Sequence, residues 1–158
     1  MPWTCQTFDI VSVKLVECRD PARPGVIGET AFVLRDGRHL FFRELPVGAM
    51  FPIPDGADMT EWPWYLASDK RLSEHYFKHN AHRRALFVVL PGRVLFVIDG
   101  QCQKDGQSYG GWDVSGQAPL ITVNPSINIH CAYHGFLQNG VISDDCEGRS
   151  FGPTGERS

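Results

Sequence analysis

The chain has 158 residues, a formal net charge of −3, 42% hydrophobic and 21% charged residues. That length suits one domain with its own core. The charge argues against a broad nucleic-acid-binding face, which needs a strongly basic surface, and no apolar run approaches the roughly 20 residues that span a bilayer.

Sixteen glycines and eleven prolines predict many short elements joined by turns. Five cysteines (Cys5, Cys18, Cys102, Cys131, Cys146) are an odd number without a CxxC pair. That predicts reduced thiols rather than a secreted disulfide framework. The opening MPWTCQTFDI has neither the charged nor the apolar region of a signal peptide. The expectation is a cytoplasmic protein without a cofactor.

In chain order, residues 7–16 (TFDIVSVKLV) alternate as a half-buried strand, and 20–25 (DPARPG) read as a loop. Residues 29–34 and 38–43 flank Asp36-Gly37, a hairpin signal, and 85–90 and 94–98 flank Pro91-Gly92. Between the hairpins, 46–65 is rich in proline, glycine and aromatic residues, which predicts an ordered loop. Residues 68–80 are the one expected helix, with Ser68 as N-cap and Leu72 and Tyr76 on its apolar face. Residues 99–111 are rich in turn formers, and 112–115 suit a short strand. Residues 120–124 and 127–133 read as strands broken at Pro125, and 134–138 and 141–143 as a last hairpin around Asn139-Gly140. The polar end, 147–158, reads as a loosely held tail. The expected fold is therefore mainly β (α+β). It is a small twisted antiparallel sheet, or a partly open barrel or sandwich, built from hairpins with one short helix, as a single domain over 1–158.

Chemistry concentrates in two places. His75, His79 and His82 fall on one side of a continued helix, a spacing that helical zinc sites use. No glutamate follows the first histidine, and Lys78, Arg83 and Arg84 crowd the stretch, so a solvated polar face is favoured. The second place is 119–146. His130, Cys131, His134 and Cys146 are four good zinc ligands by type. Strand alternation turns His130 and Cys131 to opposite faces, and the cysteines also suit small buried positions, so zinc is the weaker alternative.

Ser126 follows Pro125 at the break, and His134 lies eight residues on. A nucleophilic serine needs a base within hydrogen-bond reach and a carboxylate to orient that base. His134 is the candidate base, Asp144 or Asp145 the acid, and N–H groups near Ile127 or Gly110-Gly111 the oxyanion donors. The competing reading is a turn serine bonded to its own backbone and a histidine packed beside Phe136. Spacing alone favours the latter.

TVNPSI, then YHGFLQNGVI and SDDC, resembles a small-domain family of tailed phages and prophages. Relatives of that family occur in bacterial operons for ubiquitin-like conjugation, where it is regarded as a serine-type deconjugating peptidase. FRELPVGAMF (42–51) is similar to a recurring opening of short phage proteins. The resemblance is strongest over 120–146, weaker over 42–51 and 85–99, and does not reach the first 25 residues. It implies Ser126 as nucleophile and His134 as base, with Asp145 as a third member. The family's Asp-Cys-x-His ending matches at Asp145 and Cys146, but Gly148 stands where the histidine would be. Two roles follow as expectations. One is a Ser-His peptidase or isopeptidase acting on a protein or peptide in phage–host interaction, in the host cytoplasm or on the virion. The other is a non-enzymatic domain that binds a host or virion protein through exposed Trp62, Trp64 and Trp112.

Overall fold

The computed structural model describes residues 2–19, 26–54, 84–104 and 107–158, and these are mainly β. The expected helix at 68–80, the histidines at 75, 79 and 82, and Trp62 and Trp64 lie outside the described residues. No helix among the described residues is long and apolar enough to cross a membrane.

Among the described residues, fourteen strands form open sheets rather than a closed barrel. The first sheet joins β1 (Trp3–Thr4), β14 (Val141–Ile142), β13 (Tyr133–Gln138), β12 (Thr122–Ile129) and β11 (Asp113–Ser115) in that order. The second joins β2 (Gln6–Thr7), β6 (Ala49–Pro52), β7 (Leu86–Leu90) and β8 (Val94–Val97). A third holds β3 (Ile10–Arg19), β4 (Val26–Leu34) and β5 (His39–Phe41), and β9 (Gln101–Lys104) pairs with β10 (Gln107–Gly111). Pairing is antiparallel except for β2 with β6.

The hairpin signals fall where sequence placed them, with one refinement. At Asn139-Gly140 both residues take positive φ (48° and 74°), the geometry of a two-residue I′ turn. At Asp36-Gly37 only Gly37 does (91°), and Leu34 N–H bonds to Arg38 O at 2.8 Å. That connection is therefore a three-residue loop closed by a left-handed glycine.

β7 is buried along its whole length, which explains its unbroken LFVVL run. Around it one core gathers Met50, Phe51, Phe87, Ile98, Ile121, Val123, Ile127, Tyr133, Leu137 and Ile142. Each such side chain contributes about 1.5–3 kcal/mol on burial, so this core outweighs any single polar contact at the surface. Cys5 sits where the N-terminal segment passes from the first sheet to the second, and its N–H bonds to Gly140 O at 2.7 Å. Burial pushes its thiol up to about 12.

Two expectations need correction. Pro125 does not divide two strands; β12 runs through it. Four residue steps from Val123 to Ile127 face two from Leu137 to Gly135, so Asn124, Pro125 and Ser126 bulge opposite Phe136. The excess is even, so Val123 and Ile127 both still point into the core. The tail after 147 is also not loose. Gly92 N–H bonds to Gly155 O at 2.7 Å, and the Arg93 guanidinium donates to the carbonyls of Phe42, Leu45 and Thr154. The Phe151 ring lies edge-on to Trp3 and Tyr133.

A Cβ on Gly140 would stand 2.6 Å from Pro119 O, whereas one on Gly37 meets nothing within 4 Å. Gly37→Ala therefore carries only the left-handed penalty, about 1–2 kcal/mol. Gly140→Ala adds a backbone clash to it and should lower stability by a clearly larger amount in urea unfolding, with the m-value unchanged.

Candidate functional site

The β12–β13 ladder builds the site. Asn128 pairs with His134 and Ile127 with Gly135, which puts Ser126 diagonally across from His134 on the outer face. The inner face beneath is closed by Ile127, Tyr133 and Leu137, all fully buried. On the outer face Ser126 Oγ and His134 Nε2 are 3.1 Å apart, within hydrogen-bond reach. Phe136, 39% exposed, flanks the pair on the same strand face.

The backbone under each residue is fixed. The Trp112 indole N–H donates to Ser126 O at 3.2 Å, and its ring packs edge-on against Phe96. On the other side the Tyr133 hydroxyl donates to Ser143 O at 2.8 Å across Gly135. A Cβ on Gly135 would lie 2.0 Å from that hydroxyl oxygen, so glycine is needed for the ring to cross. Burial pushes the Tyr133 phenol up to about 12.

The acid expected from sequence, Asp145, has a fully buried side chain and meets the backbone of His134 instead of the imidazole. Its oxygens accept His134 N–H at 3.1 Å, Glu147 N–H at 2.7 Å and Arg149 Nη1 at 3.1 and 3.3 Å. Burial acts to raise its pKa, yet these donors outweigh burial and hold the carboxyl below the usual carboxylate range. The carboxylate beside the ring belongs to Glu147, whose Oε2 is 3.8 Å from His134 Nδ1. Glu147 is half exposed, so a charged pair at that distance contributes about 1 kcal/mol or less, and its effect on the ring is mainly orientation.

Glu147, Arg149 and Trp112 were missed as site residues because 147–158 read as tail and Trp112 as an exposed anchor. Trp112 is only 7% exposed, which removes it from the binding-surface reading. A signal for the turn was present: Asp145 followed three residues later by Gly148 suits a type I turn, and Gly148 N–H bonds to Asp145 O at 3.2 Å. Gly148, where the resemblance calls for histidine, has φ of 80°, a conformation that favours glycine.

The four zinc-type residues do not converge. β12 ends at Ile129, so His130 and Cys131 sit in the turn rather than on alternating strand faces, with Cys131 at φ 59°. Cys131 and Cys146 are exposed rather than buried. Among the described residues no group of three or more His, Cys, Asp or Glu is arranged to hold a metal. As for the expected oxyanion donors, Ile127 is paired with Gly135 and Gly111 with Gln101.

Comparison with protein-family models, with curated proteins and with solved structures gives no match for this chain.

Asp145 has a depressed folded pKa, so the stability it supplies is complete above its unfolded value of about 3.9 and is lost as pH falls through the lower folded value. Asp145→Asn should flatten the acid limb of a stability–pH curve below about pH 4. Asp145→Ala strands the backbone N–H groups of His134 and Glu147 and leaves Arg149 with Glu147 as its carboxylate partner, and should cost about 2 kcal/mol or more by urea titration at pH 7 for the two N–H groups.

Proposed function

We propose that the chain is a Ser-His hydrolase for acyl bonds, with Ser126 as nucleophile, His134 as base and Glu147 as the acid that orients it. The observation that carries this reading is the 3.1 Å contact of Ser126 Oγ with His134 Nε2 on an outer sheet face, with a carboxylate beside the opposite ring nitrogen. The competing reading, a turn serine and a packed histidine, fits this geometry less well. A serine bonded to its own backbone has no reason to meet the imidazole, and a histidine packed on Phe136 has no reason to face a carboxylate.

In the reaction, Ser126 Oγ attacks the carbonyl carbon of the substrate and its proton passes to His134 Nε2. The tetrahedral intermediate collapses as His134 returns that proton to the leaving amine, and the acyl group stays on Ser126. Water then repeats the sequence, losing its proton to His134, and Ser126 regains its hydroxyl as the acid leaves. Glu147 has one task throughout: its carboxylate, 3.8 Å from Nδ1 in the free protein, closes to hydrogen-bond distance and accepts Nδ1–H, so that the Nε2 lone pair faces the serine.

The open face favours an extended polypeptide over a small enclosed ligand. Asn124, Pro125 and Asn128 beside the pair are all exposed, so a chain can lie across the bulge without entering a cavity. Peptide or isopeptide bonds are therefore the proposed substrates. The resemblance to the phage and prophage family supplies the proposed setting, phage–host interaction.

A fluorophosphonate probe tests the reading, because it reacts with an activated serine and releases fluoride as the serine proton moves to the base. Wild type should be labelled, with Ser126→Ala unlabelled and His134→Ala slowed by at least about a hundredfold. Equal labelling of wild type and Ser126→Ala, or none of wild type, would sink the hydrolase reading.

A further inference from the structure

We propose that Arg149 is a positioning residue, holding Glu147 against the His134 ring so that the base is set from the C-terminal segment rather than from the sheet. The inference rests on the Ser126–His134–Glu147 reading and goes beyond it by naming what fixes the third member.

Glu147 has a flexible side chain that is 52% exposed, and a free surface glutamate spreads over many rotamers. Here it is captured. Arg149 Nη1 donates to Glu147 Oε2 at 2.8 Å, and this same oxygen faces His134 Nδ1 at 3.8 Å. Arg149 is itself only 15% exposed, and its Nη1 also reaches both oxygens of the fully buried Asp145. Asp145 closes the circuit by accepting the backbone N–H groups of His134 and Glu147. The backbone of the base, the backbone of the acid and the side chain of the acid thus all refer to one carboxylate. Guanidinium suits the post because it stays charged and offers only donors, so it cannot take the imidazole proton in place of Glu147.

A purely structural role for Arg149, neutralising Asp145, makes different predictions. The test uses the full chain as wild type, Glu147→Gln, Arg149→Gln and the double variant. Fluorophosphonate labelling is timed at pH 7, and the ring ¹⁵N shifts of His134 are read by NMR, with thermal melts showing each protein folded at the assay temperature. Arg149→Gln should slow labelling about as much as Glu147→Gln, on the order of tenfold to a hundredfold. The double variant should be no slower than Glu147→Gln alone, since both act through one contact. The wild-type ring should be the Nδ1–H tautomer, and both single variants should shift toward a mixture. Losses that multiply in full, or an unchanged tautomer in Arg149→Gln, would overturn the proposal. Where Arg149→Gln does not fold, Arg149→Lys replaces it. Its shorter ammonium serves Asp145 without spanning to Glu147, so a folded lysine variant labelled at the wild-type rate would also overturn it. If wild type does not label at all, the hydrolase reading falls, and the tautomer comparison still decides whether Arg149 positions the ring.

Discussion

A buried carboxylate must be met by donors or it does not stay charged. Asp145 is such a group, with no side-chain exposure, and every donor it gathers belongs to the site. Meeting that demand fixes the backbone of His134 on β13 and that of Glu147 in the turn that follows Asp145. The arginine that completes the set is then left with a donor pointing at Glu147. The site geometry is in this sense a consequence of satisfying one charge. Residues 143–149 carry no regular structure, yet they are tied to β13 by hydrogen bonds to His134 and Phe136.

The sheet supplies the other half. A serine in a regular position of β12 would alternate with its neighbours and pair with one residue of β13. The bulge over Asn124–Ser126 frees it from that count while preserving the inward direction of Val123 and Ile127. An odd excess would have turned one side of β12 inside out, exposing Ile127 or burying Asn128. Trp112 then ties the carbonyl of the bulged serine to the core through Phe96, limiting the freedom that a bulge would otherwise allow.

Much of the fold could be read from local chemistry. Asn139-Gly140 admits positive φ at both positions, and apolar alternation marks the flanking strands, so the last hairpin followed directly. Pro125 misled because proline usually ends a ladder; here the excess residues around it absorb the missing donor within a continuous strand. The pairing of Ser126 with His134 was open to sequence only as a candidate, since the diagonal that joins them depends on a register that spacing does not fix. The end of the chain was misjudged on composition. EGRSFGPTGERS is polar and glycine-rich, but Phe151 finds two aromatic rings and the Gly155 carbonyl finds a strand turn. Composition describes what a segment would do alone, and these partners come from elsewhere in the chain.

Asp145 and Glu147 are both carboxylates two positions apart in a single turn, and their environments differ. The buried one is saturated by backbone N–H groups and a guanidinium, so it has little left to offer an imidazole. The exposed one has spare acceptor capacity and faces Nδ1 across 3.8 Å. In the proposed site, a choice of acid by burial would select Asp145, whose acceptor capacity is already taken up. The better criterion is unspent hydrogen-bonding capacity directed at the ring, and on that criterion Glu147 is the carboxylate the proposed hydrolase would use, with Asp145 anchoring the backbone.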